Sequence, residues 1–156
     1  MGCGGIRTGA RQPAPDKLRI IYEALLELMG RYRPACAAVE SLFFARNVRS
    51  ALTLGQARGV ALLAAVQGGL PVFEYTPREV KAAVTGYGSA EKEQVRGMVA
   101  RLLRLPDVPA SLDATDAHAL AICHCHAAGG GQGLRLLASR RGVRAGRAAW
   151  RALKVP

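Results

Sequence analysis

The sequence predicts an α/β domain, and three observations point there. Stretches with apolar residues every three or four positions alternate with two short apolar runs of strand character. The 156 residues suit one domain with a real core. Half the residues are apolar but only 5% are aromatic, so that core must be mostly Ala, Val and Leu.

The elements follow in order. Asp16, behind Pro13 and Pro15, reads as an N-cap. Leu18, Ile21, Tyr22, Leu25, Leu28 and Met29 then mark one face of a helix running to about Arg31. "ACAAVE" (35–40) reads as a buried strand ending in a carboxylate. The Ala- and Gly-rich stretch 50–67 is a helix stopped by Gly68-Gly69, and its small side chains suit close approach by a partner. "PVFEY" (71–75) is a second strand, and "PREVKAAV" is a short helix with Pro77 in its first turn. Ser89 reads as the cap of the next helix, "AEKEQVRGMVARLLR". The last helix runs from about Leu112 to Ala127, before Gly129-Gly130-Gly131. "GGIRT" offers at best an edge strand, there is no internal repeat, and two strands are few for so many helices.

Charge and cysteine usage narrow the class. The net charge is +11, of which residues 129–156 hold +7 with no acid and residues 1–128 hold +4. A basic arm on a mildly basic body suits a polyanion, nucleic acid ahead of membrane; the plainer reading is a solvated terminus. No apolar run reaches the ~18 residues of a membrane span. "MGCGGIRT" lacks the apolar stretch of a signal peptide, and Ile6 stands where myristoylation needs Ser or Thr. Cys3, Cys36, Cys123 and Cys125 have no disulfide-framework spacing, so a reduced, cytoplasmic protein is expected.

With only 11 acids, those in apolar surroundings are informative. Glu40 ends a buried strand, and Asp113 and Asp116 share one face at a helix start. Two like charges on one face repel unless a cation sits between them, and hard cations such as Mg²⁺ take a few carboxylates plus phosphate oxygens. The plainer reading of Asp113 is an N-cap that complements the helix dipole. Cys123-His124-Cys125-His126 are consecutive, so they spread around the helix axis, unlike the spacings of zinc sites. They read as a ragged helix end, and His118 receives no role.

Four strings in order, "AVESLFFARNVRSALTLGQARGV", "PVFEYTPREVK", "GYGSAEKEQV" and "DATDAHALAICHCH", resemble the RuvC family of bacterial Holliday-junction resolvases, with likeness from about Gly4 to His126. The resemblance implies a ribonuclease H-like fold, a five-stranded mixed sheet flanked by helices, working as a homodimer. It implies paired, Mg²⁺-dependent nicking of four-way DNA junctions with two ions per site, alongside the RuvA–RuvB branch-migration machinery. Matched by motif, Glu40, Asp113 and Asp116 are the implied metal-binding catalytic carboxylates. Phe43 is the implied aromatic against a junction base, with core packing as its plainer reading. Lys81 and Lys92 are the implied basic residues near the scissile phosphate, and helix 50–67 is the implied dimer helix.

The family opens with a strand bearing a further Asp, followed by a second strand, and this chain has no match to either. The expectation is an N-terminally incomplete nuclease domain over 1–128, recorded with a late start, followed by a basic flexible arm over 129–156. The alternative is a non-catalytic junction-binding protein, and a remnant without a stable fold is the remote third.

Overall fold

The computed structural model describes residues 4–41, 47–105 and 112–129. Phe43 and almost all of the basic arm lie outside the described residues. Among the described residues, seven elements follow one another as α1 (Ala14–Tyr32), β1 (Ala37–Glu40), α2 (Val48–Gln67), β2 (Val72–Tyr75), α3 (Pro77–Thr85), α4 (Lys92–Leu103) and α5 (Leu112–Gly129). Strands alternating with helices are the predicted α/β pattern.

β1 and β2 pair in parallel, with Ala37 opposite Val72 and Glu40 opposite Tyr75. Parallel neighbours need a long crossover, and α2 is part of it. The pairing is extended at both ends, where the Ala37 N–H donates to the Pro71 carbonyl at 2.9 Å and the Ser41 N–H to that of Tyr75 at 2.8 Å. The side chains of Arg58 on α2 and Glu74 on β2 form an ion pair that ties the crossover to the strand.

Several local expectations are corrected. "GGIRT" forms no strand. Pro13 occupies the N-cap of α1, and Asp16 lies in the first turn, where it complements the helix dipole without capping. Asn47 caps α2, its side chain accepting the Arg49 N–H at 2.9 Å. The cap of α4 is Glu91, not Ser89, because Gln94 three residues on reaches back to the Glu91 N–H at 2.9 Å. Thr76 and Glu79 make a reciprocal capping box on α3, which the strong acceptors of both side chains allow.

The core lies between α3, α4 and α5. Val80 and Val84 of α3, Val95 and Val99 of α4, and Ala119, Ile122 and Cys123 of α5 are buried together with Ala90. These are the small aliphatics that composition demanded. α1 packs on α2, and a Cβ on Gly68 would come within 2.9 Å of the Met29 sulfur, so glycine permits that approach.

Candidate functional site

Glu40 is the last residue of β1, and the backbone bond from Ser41 to Tyr75 fixes where the strand ends. Its carboxyl is pushed above the usual carboxylate range. Partial loss of hydration is the first cause, even though the residue keeps solvent access, and the negative charge of Asp116 is the second. The cation of Lys92, at the start of α4, pulls the other way. The fold therefore brings together three groups from positions 40, 92 and 116. A carboxyl whose proton affinity is raised in part by a neighbouring carboxylate, with a lysine beside it, is an electrostatically unfinished site. A hard divalent cation would relieve the repulsion, and the donors are all oxygen.

Asp113 stands one turn before Asp116 on the same face of α5 and is exposed. It lies inside the first helical turn, so it does not cap the helix as the plainer reading had it. Among the described residues no three His, Cys, Asp or Glu side chains converge closely enough to enclose an ion. What the fold assembles from the acidic set is thus the Glu40–Asp116 pair, with Asp113 nearby along the helix. Lys81 is half-buried on α3 and makes no ion pair among the described residues.

The "CHCH" end is not ragged. α5 continues to Gly129, and His124 is one of its best-connected side chains. Its Nε2 lies 3.1 Å from the Cys36 sulfur, and its Nδ1 shares a hydrogen bond of 2.8 Å with the Tyr75 hydroxyl. Its ring packs on Phe73 with centroids 4.6 Å apart and meets the Tyr75 ring edge-on. Burial lowers its pKa from the usual 6.5, which favours the neutral ring. His126 Nδ1 contacts the Ala83 carbonyl at 3.1 Å. The Nδ1 of His118 is buried and has no hydrogen-bond partner among the described residues. Reasoning along the sequence missed His124 because its partners lie 88 and 49 positions away.

A parallel strand ending in one carboxylate, faced by a helix-borne carboxylate and a lysine, has the makings of a metal-dependent α/β nuclease. The chain belongs to the RuvC family: residues 1–124 match the family model for crossover junction endodeoxyribonuclease RuvC. The RuvC of Pelotomaculum thermopropionicum is 56% identical over 124 residues, spanning 80% of this chain and 76% of that protein. The RuvC of a Roseiflexus species is 51% identical over 126 residues, spanning 81% of this chain and 75% of that protein. Among solved structures, Thermus thermophilus RuvC aligns with a TM-score of 0.74 at 38% identity, over 81% of this chain and 76% of that one. The same protein in complex with a Holliday junction substrate aligns at 0.77, with the same identity and coverage. The fold is accordingly ribonuclease H-like, and enzymes of this family are metal-dependent nucleases.

Proposed function

We propose that this protein resolves Holliday junctions by paired, Mg²⁺-dependent nicks in two opposing strands of four-way DNA. The observation that carries the reading is the meeting of Glu40, Asp116 and Lys92 at the end of β1. Glu40, Asp113 and Asp116 would hold two Mg²⁺ ions, with Asp113 drawn in when metal and phosphate are present. Bound there, the ions would supply an activated water and stabilise the departing 3′ oxygen. Lys92, and Lys81 on the neighbouring helix, hold the scissile phosphate against the acidic pair. Phe43, three residues beyond Glu40, stacks on a base at the junction.

The rest of the chain fits that task. α2 carries exposed Val48, Leu52, Leu54, Leu63 and Val66, a surface suited to burial in a homodimer. Two copies related by a two-fold axis would address the two strands of a symmetric junction. Residues 1–128 form the nuclease domain, and the basic arm over 129–156 adds affinity for the phosphate backbone. The work lies in the cytoplasm, on junctions delivered by the RuvA–RuvB complex. No helix among the described residues is long and apolar enough to cross a membrane.

The test is a nicking assay on a synthetic four-way junction and a linear duplex of the same sequence, with Mg²⁺ and with chelator. Paired nicks in the junction alone, lost on chelation, are the expected result. Junction binding without nicking under any divalent metal would leave the non-catalytic binding protein as the reading.

A further inference from the structure

His124 sits two helical turns beyond Asp116, about 12 Å along the axis of α5. Cys36 lies four residues before Glu40, about 13 Å along an extended chain. α5 packs on β1, where the charge of Asp116 acts on Glu40 and His124 meets Cys36, so α5 runs antiparallel to β1 with two rungs of matched spacing. One rung is repulsive, carboxylate against carboxylate, and cannot hold the register by itself. The other is attractive. It also extends to β2, because the same ring bonds the Tyr75 hydroxyl, and Tyr75 is the register partner of Glu40.

The ring chemistry makes this rung directional. A neutral imidazole has one donor and one acceptor nitrogen, and each of its two nitrogens has a partner able to take either role. Phe73 and Tyr75 fix the ring plane from the strand side. A slide of α5 by one residue, about 1.5 Å, would break both polar contacts at once.

We infer that His124 is a positioning residue for the acidic site, clamping α5 to both strands so that Asp116 is held opposite Glu40 against their mutual repulsion. The inference rests on the reading of those two carboxylates as metal ligands. It accounts for a half-buried histidine whose two ring nitrogens both have partners outside its own helix.

The test is Mn²⁺ binding to the full chain without DNA, followed by electron paramagnetic resonance of the free ion. Glu40→Gln first identifies the site, and its Mn²⁺ binding should be lost. His124→Phe keeps the aromatic packing but removes both polar contacts, and should weaken the same site roughly tenfold, as supporting residues of metal ligands do. His124→Gln, whose amide reaches the Nε2 position, should recover most of that loss. Ala64→Gly, in a buried position of α2 away from α5, lowers stability and should leave Mn²⁺ binding unchanged. Wild-type affinity in His124→Phe, or an equal loss in Ala64→Gly, overturns the clamp.

Should wild-type Mn²⁺ binding prove independent of Glu40, the metal-ligand reading falls and hydrogen exchange decides the clamp separately. Faster exchange over Asp113–Ala119 in His124→Phe, with α3 unchanged, would sustain it. Unchanged exchange in α5 would end it.

Discussion

The two ends of the chain are built differently. α3, α4 and α5 enclose a shared core in which Val99 is completely buried. α1 has no buried residue, and α2 buries only Ala64 and Ala65 while leaving Leu52 64% exposed. Both helical groups are comparably apolar in sequence, so composition does not separate them. What separates them is where the apolar faces go: into one another on the α3–α5 side, and outward on α2. The acidic pair is anchored from the packed side, through α5. The packed core thus carries the proposed site, and the α1–α2 pair presents surface.

The comparison breaks most visibly at the site. Asp116→Asn and Glu40→Gln are each expected to lower nicking by at least about 100-fold while four-way junction binding stays near wild type, since under the proposed function they remove metal ligands and not DNA contacts. Single-turnover cleavage with a parallel gel-shift titration checks this, and equal loss of binding would refute the assignment. The next effect compares the two helical groups directly. Val99→Ala should cost about 2 kcal/mol in denaturant unfolding, from lost transfer energy and the cavity left behind. Leu52→Ser should stay within about 0.5 kcal/mol for the monomer. Its effect should appear in sedimentation, as weaker self-association.

Thr76→Ala should cost about 1 kcal/mol, because it removes the side chain that accepts the Glu79 N–H at the start of α3. The smallest effect is in pH dependence. The pKa of His124 is lower in the folded protein than the usual 6.5, so on acidification the unfolded chain takes up this proton first. The contribution is complete above pH 6.5 and is lost as pH falls through the folded value. Urea unfolding at steps from pH 7.5 to 5 should show a steeper decline in wild type than in His124→Phe, and parallel declines would contradict it.

Much of this arrangement was legible in the sequence, for identifiable reasons. The helices were readable because their apolar residues recur with helical spacing, as Leu18 to Met29 do on α1. Glu40 and Asp116 stood out because carboxylates are rare here, Glu40 directly after Ala-Ala-Val and Asp116 paired with Asp113 at a helix start. The caps were misread at Asp16 and Ser89, where the prediction chose the commonest capping residues and the backbone chose Pro13 and Glu91. "GGIRT" lacked strand pairing, which no local pattern can supply. His124 was invisible for a related reason: a histidine surrounded by Cys and His suggests metal or fraying, while its partners are Cys36, just before β1, and Tyr75 on β2.

Chain connectivity gives the site a history as well as a geometry. α3, α4 and α5 are consecutive, so their core closes through short loops. Glu40 must find Asp116 across about half of the chain, and closing a longer loop costs more entropy and tends to come later. A chain still folding therefore holds its carboxylates apart. Under the proposed function, cutting waits on a long-range contact of the fold, which would keep a nascent nuclease harmless to the DNA around it.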